Sequence, residues 1–269
     1  MQHAIAILDS GVGGLTVAKE VMRQLPREKV VYFGDTARTP YGPRPAEQVI
    51  QFTRQIVDYL LQYKPKMIVI ACNTATAVAL EDIRSRVSVP VVGVIHPGAR
   101  AAIKTTRSGR VGVIGTEGTI RSGAYETALR EISPQLQVVS MACPSFVPIV
   151  EQGRYEDDIA REEVKHVLRP FREEHLDCLI LGCTHYPYLT GAIREAMGPS
   201  VALISSADET AREISTILYH NGQLAQSNQE PVHQFFCSGD PHLFRSIAQS
   251  WLKEEIQVTP VVWRVPTIS

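Results

Sequence analysis

No apolar run in this chain approaches the ~18–20 residues needed to cross a bilayer, so no membrane span is expected. Charge of one sign is missing too. Lys and Arg number 27 against 28 Asp and Glu, a formal net charge of −1, which leaves no broad electrostatic surface for nucleic acid. The start, Met1–Leu8, runs straight into a strand without a basic n-region or cleavage site, so no signal peptide is read. Its five cysteines are odd in number, irregularly spaced and free of CxxC. That pattern fits a reducing cytoplasm rather than a disulfide framework or a zinc site. Neither GxGxxG nor GxxxxGK[ST] occurs, so the glycine-rich turn described below is no dinucleotide or P-loop fingerprint. What remains is an average globular composition, 44% hydrophobic and 20% charged over 269 residues. That length suffices for one large domain or two ordinary ones. A cytoplasmic soluble protein is expected.

The informative stretch is Met67–Thr76, MIVIACNTAT. Met67–Ala71 is a short, continuous apolar run after Pro65, the pattern of a strand buried on both faces. A helical pattern covers Ala75–Arg86, so Cys72, Asn73 and Thr74 fall at a strand's carboxyl end, where open α/β sheets bind ligands. The same arrangement returns at Leu179–His185, LILGCTH, with Cys183 in place of Cys72. Upstream, a strand at Ala4–Leu8 ends in Asp9-Ser10-Gly11-Val12-Gly13-Gly14 before a helix at Leu15–Leu25. Asp9 would repel phosphate, which favours contact of Asp9 and Ser10 with some other small ligand. Val30–Phe33 is the second strand. A rigid, donor-rich loop through Thr39, Pro40, Tyr41 and Gly42 follows, suited to lie over a site. A helix at Ala46–Tyr63 and a strand at Val89–Val94 complete this half.

The pattern then restarts. Arg110–Thr119 repeats strand, glycine turn and helix, with Thr116 standing where Asp9 or Ser10 stood. Gln137–Ser140 matches the strand at Val30, and Cys143–Pro148 matches the Pro40 loop, running into Ile149-Val150-Glu151. A helix is predicted over Tyr155–Glu173, a strand over Cys178–Leu181, a last strand of this half over Val201–Ile204, and a helix over Ser206–Tyr219. Asn221–Glu230 reads as an exposed loop. Strands at Gln234–Cys237 and Val258–Arg264 flank a helix at Pro241–Trp251. Ile5 and Val111 lie 106 residues apart, and Cys72 and Cys183 lie 111 apart. Offsets so similar argue for two repeated halves. The expected fold is therefore α/β: two similar Rossmann-like or flavodoxin-like domains related by a pseudo-two-fold, with the active site between them. Residues 1–96 plus 207–269 would form the first domain, carrying Cys72, and residues 97–206 the second, carrying Cys183.

Two thiols facing one ligand narrow the chemistry. A disulfide suits a reducing compartment poorly. Metal ligation by Cys72, Cys183 and His185 lacks a fourth partner. A single nucleophilic cysteine leaves the other unexplained. Two opposed acid/base groups suit a racemase or epimerase, in which one removes a proton and the other returns one to the opposite face. A free thiol, with a pKa near ~8.5, is within reach of that task at neutral pH. Asp9 is the candidate to assist Cys72, and His185 to assist Cys183. Asn73, Thr74 and Thr184, at helix amino ends, offer N–H groups to carboxylates.

These segments, together with Gly34-Asp35-Thr36-Ala37-Arg38-Thr39-Pro40-Tyr41-Gly42, Gly182-Cys183-Thr184-His185-Tyr186-Pro187 and Pro144-Ser145-Phe146-Val147-Pro148, resemble the glutamate racemases, the cofactor-independent two-cysteine amino-acid racemases. The resemblance runs from Ile5 to about Thr210. It implies interconversion of L- and D-glutamate by two-base proton transfer, supplying D-glutamate for peptidoglycan in a bacterial cytoplasm, with consequences for cell-wall biogenesis and cell shape. It implies that Cys72 handles the proton on the D side and Cys183 that on the L side, assisted by Asp9, His185 and Glu151. Substrate contacts would come from Ser10, Pro40, Tyr41, Gly42, Asn73, Thr74, Thr116, Thr119, Thr184 and His185. No metal and no cofactor are implied, and no lysine lies in the motifs to form a pyridoxal Schiff base. A homo-oligomer, a dimer, is implied, with no nucleic acid or membrane partner. Because the chain starts almost at its first strand, regulation by a cell-wall precursor is not expected. The rivals are an aspartate or other amino-acid racemase and, from another class, a non-catalytic bilobal ligand-binding protein.

Overall fold

Strand β1 (Ile5–Asp9) is buried at all five positions, as a parallel strand must be when helices cover both its faces. A computed structural model describes residues 3–226 and 229–263. In chain order the first sheet receives β1, α1 (Leu15–Gln24), β2 (Val30–Gly34), α2 (Ala46–Leu61), β3 (Met67–Ile70), α3 (Asn73–Arg86) and β4 (Val91–Gly93). Helix α4 (Ile95–Thr105) leads to β5 (Arg110–Gly115), α5 (Glu117–Ser122), α6 (Ala124–Ile132) and β6 (Gln137–Ala142). Then come α7 (Phe146–Glu151), α8 (Asp158–Leu168), β7 (Cys178–Gly182), α9 (Thr190–Met197) and β8 (Ala202–Ile204). The last elements are α10 (Ala207–His220), β9 (Gln234–Cys237), α11 (Pro241–Leu252) and β10 (Val258–Pro260).

All strand pairs are parallel. One sheet runs β10-β9-β2-β1-β3-β4 and the other β6-β5-β7-β8. The segment β2-β1-β3-β4 thus recurs as β6-β5-β7-β8, so the repeat seen in the sequence is a repeat of topology. In each, the strand order reverses between the first and third strands, the switch point where such sheets bind ligands. Asp9 ends β1 and Cys72 follows β3 at one switch point. Thr116 follows β5 and Cys183 follows β7 at the other. Strands β9 and β10 extend the first sheet beyond β2, registering Phe236 on Phe33.

Side chains alternate across the first sheet. Ile5, Ile7, Val30, Tyr32, Met67 and Val69 pack with residues of α1, α10 and α11. Ala6, Leu8, Val31, Phe33, Ile68 and Ile70 face α2 and α3. Each fully buried Ile or Leu here contributes about 1.5–3 kcal/mol. Helix α10 packs against both α1 and α4, tying the end of the second half back onto the first. Among the described residues no helix is long and apolar enough to cross a membrane.

Prolines explain where local expectations differ. The predicted fourth strand stops at Gly93, and His96 and Pro97 lie in the first turn of α4, where a missing N–H breaks no helical bond. Pro148 sits likewise in the first turn of α7, so the segment matched to the Pro40 loop closes into a short helix. The predicted helix over Tyr155–Glu173 is shorter: α8 ends at Leu168 and a 3-10 turn covers Arg169–Glu174. Pro170 cannot bond the carbonyl of His166 and would clash with it. The final predicted strand stops at Pro260. Its Arg264, parts of the predicted 221–230 loop (Ser227, Asn228) and the outermost ends of the predicted first domain (Met1, Gln2 and 264–269) lie outside the described residues.

Candidate active site

Cys72 caps the amino end of α3: its sulfur accepts the Ala75 N–H at 3.5 Å and lies 3.7 Å from Ser10 Oγ. At 4% exposure it is sealed from bulk water. Burial pushes this thiol up to about 12, and the Asp9 charge pushes the same way. The Ala75 N–H and Ser10 hydroxyl pull against them. Asp9 itself is fully buried, its Oδ1 accepting the Gly11 N–H at 2.9 Å and its Oδ2 the Thr184 hydroxyl at 2.9 Å. Burial holds its carboxyl above the ordinary value, partly offset by His185, Gly11 and Thr184. Asp9 thus reaches Cys72 through its field, while its hydrogen bonds go elsewhere.

Cys183 has a different neighbourhood. His185 Nδ1 is 3.6 Å from its sulfur, and His185 Nε2 is 2.5 Å from Glu151 Oε1. Glu151 Oε1 also accepts the Val12 N–H of the first half at 2.8 Å. Burial alone would depress the imidazole. Hydrogen bonds to Cys183 and Glu151 outweigh it and hold His185 well above its usual value. The result is a carboxylate–imidazolium–thiol line.

The halves meet through polar side chains. Thr74 Oγ1 lies 2.8 Å from Thr116 Oγ1 and 3.2 Å from Thr119 Oγ1, and the latter two are 3.1 Å apart. Thr116 caps α5 by accepting the Thr119 N–H. The glycine turn after β1 is what admits the second half. A Cβ on Gly11 would lie 1.8 Å from Glu151 Oε1, and one on Gly13 would lie 2.4 Å from Thr184 Oγ1 and 2.5 Å from His185 Nδ1. No side chain fits there, so these glycines serve close approach.

The structure brings Asp9, Ser10, Cys72, Asn73, Thr74, Thr116, Thr119, Glu151, Cys183, Thr184 and His185 into one connected polar region between the sheets. The loop residues differ in kind. Gly42 packs directly on Thr116, and the Pro40 carbonyl accepts from Arg44 at 3.1 Å. Tyr41 is buried, with its hydroxyl donating to Asp35, so its phenol is spent on holding the loop. One participant escaped sequence reasoning: Tyr125, whose hydroxyl donates to Asn73 Oδ1 at 2.6 Å. It stands inside an ordinary amphipathic helix, with no local signal beyond being an aromatic at a core position. Among the described residues no group of three His, Cys, Asp or Glu side chains is arranged for a metal ion.

Two α/β units that present thiols from equivalent switch points into a shared buried polar region define an isomerase of the proton-transferring kind. The chain belongs to the Asp/Glu/Hydantoin racemase family, whose sequence profile matches residues 13–214. It is 53% identical to a glutamate racemase of Bacillus cereus over 257 residues, 96% of each chain. The glutamate racemase structure from Bacillus anthracis superposes with a TM-score of 0.92 at 50% identity, covering 96% of this chain and 97% of that one. The glutamate racemase from Francisella tularensis, solved in complex with D-glutamate, superposes with a TM-score of 0.89 at 32% identity, covering 98% of each.

Proposed function

We propose that this chain interconverts L- and D-glutamate without a cofactor, Cys72 and Cys183 acting as the two bases. The observation that carries the reading is the pair of buried thiols at equivalent strand ends, each with its own polar partner. Relatives near 50% identity along nearly the whole chain are glutamate racemases, which favours glutamate as substrate. In the cycle one sulfur, as thiolate, takes the α-proton, and the electron pair left behind spreads into the α-carboxylate. The other sulfur, as thiol, gives its proton to the opposite face, and the two exchange states. Cys72 serves the D side and Cys183 the L side. His185, held by Glu151, offers positive charge to a thiolate at Cys183, while Asp9 and Ser10 serve Cys72.

An amino-acid α-proton is a very weak acid, so the negative charge on the carboxylate must be met by fixed donors in a water-excluded space. Asn73 and Thr74 at the start of α3, with Thr116, Thr119 and Thr184 from the other half, supply them. The Pro40–Gly42 loop closes against Thr116. Residues 1–96 with 207–269 act as one domain and 97–206 as the other, and closure of the two seals the site. The product would feed peptidoglycan synthesis in a bacterial cytoplasm, and the working unit would be a homodimer.

The test is to incubate the purified chain separately with L-glutamate and L-aspartate, following optical activity in D₂O with no added cofactor. Glutamate should lose optical activity and gain deuterium at Cα. Turnover of aspartate alone would overturn the substrate, and Cys72→Ala and Cys183→Ala variants with near-full activity would overturn the two-base mechanism.

A further inference from the structure

Asn73 opens α3 directly after Cys72 and is buried, yet the two ends of its amide are treated unequally. Oδ1 accepts the Tyr125 hydroxyl at 2.6 Å, whereas Nδ2 is buried without a hydrogen-bond partner. A native structure rarely leaves such a donor unused. Tyr125 belongs to α6, and its ring packs on the residue before the second thiol: a Cβ on Gly182 would lie 3.0 Å from Tyr125 Cε2. Ser206, the residue before α10, stands near the Tyr125 hydroxyl. The two meet where Gly98 leaves room, since a Cβ there would lie 3.1 Å from the Tyr125 oxygen and 3.2 Å from Ser206 Cβ.

A phenol has one proton to give. Here that proton goes to Asn73, and only the amide oxygen of Asn73 can accept it. We infer that Tyr125 is a positioning residue for substrate recognition: by holding Asn73 Oδ1 it turns the Asn73 NH₂ group away from itself, free to donate to a substrate carboxylate oxygen. The inference rests on the reading that Asn73 touches the substrate. Because Tyr125 comes from the second half and Asn73 from the first, the amide is oriented only when the halves are together. Recognition and closure are thereby linked.

Steady-state kinetics with both enantiomers test this on Tyr125→Phe, Asn73→Asp, Asn73→Ala and the double variant Tyr125→Phe/Asn73→Ala. Tyr125→Phe should raise KM about tenfold, the scale of one hydrogen bond to a charged group, while kcat changes far less. Asn73→Asp keeps the acceptor for Tyr125 but has no NH₂, and should raise KM at least as much. The double variant should be no worse than Asn73→Ala alone. An unchanged KM in Tyr125→Phe, or an effect that adds in full to that of Asn73→Ala, overturns the role of Tyr125 while leaving Asn73 as a contact. An unchanged KM in Asn73→Ala removes Asn73 from the site and the inference with it. If Tyr125→Phe does not fold, Asn73→Asp decides, and wild-type KM in that variant overturns the inference.

Discussion

Gly13→Ala should cripple the site through a single methyl group. The new Cβ would lie 2.4 Å from Thr184 Oγ1, 2.5 Å from His185 Nδ1 and 2.7 Å from His185 Cε1. Ordinary contact needs about 3.5 Å, so the segment after β7 must retreat by about 1 Å. That retreat strains two interactions together: the Thr184–Asp9 hydrogen bond at 2.9 Å and the His185–Cys183 contact at 3.6 Å. A displacement of this size at reacting groups lowers the rate about 10²-fold, and overpacking lowers stability by about 1–3 kcal/mol. Circular dichroism of glutamate, started from either enantiomer, gives kcat/KM, and thermal melting gives the stability change. Gly191→Ala is the control. Nothing lies within 4 Å of a Cβ there, so the rate should hold and α9 should gain about 0.5–1 kcal/mol. A Gly13→Ala enzyme within threefold of wild type would refute the claim that the glycine turn makes room for Thr184 and His185 at a working site.

Two further outcomes concern pH. The folded His185 holds its proton above the ordinary imidazole range, so that proton persists through neutral pH and is lost as pH rises through the folded value. Glu151→Gln removes the negative charge that helps hold it, and the alkaline limb of the pH–rate profile should move to lower pH; an unmoved limb would exclude Glu151 from the relay. Burial pushes Cys72, Cys143 and Cys178 each up to about 12, above the free value near ~8.5. Since folding disfavours these thiolates, stability should fall between those values by up to about 1.4 kcal/mol per pH unit per thiol. Cys178→Ala should flatten that slope in denaturant titrations at several pH values, and an unchanged slope would sink the assignment.

The framework was legible because buried parallel strands write themselves as short apolar runs, and small polar residues mark their ligand-facing ends. That is why Cys72, Cys183, Asp9, Thr116 and the repeat stood out. Side-chain partnerships across the interface were not legible. Glu151 lies 139 residues from the Val12 N–H it accepts, and Tyr125 lies 52 residues from Asn73; no local period encodes such separations. Likewise the loop carrying Tyr41 looked like a set of donors, yet Asp35 claims its phenol. A proline misled for a related reason: the segment ending at Pro148 read as a loop, yet Pro148 falls in the first turn of α7, where a proline is tolerated.

The symmetry of the strands does not extend to the groups behind the thiols, and the reaction tolerates this. L- and D-glutamate have equal free energy in water, so kcat/KM must be the same in both directions whatever surrounds each sulfur. Cys72 leans on Ser10 and the α3 amino end against the charge of the buried Asp9, whereas Cys183 leans on an imidazolium backed by Glu151. Unequal flanks can therefore show only as unequal kcat with KM changing in parallel, or as different isotope effects on the two proton abstractions. Glu151→Gln acts most directly on Cys183, through His185. It should lower kcat/KM equally for both enantiomers, and raise the α-deuterium isotope effect more for the enantiomer whose proton Cys183 removes. An isotope effect rising equally in both directions would mean that the relay serves both sulfurs, and that the electrostatic division between the two halves does not divide the chemistry.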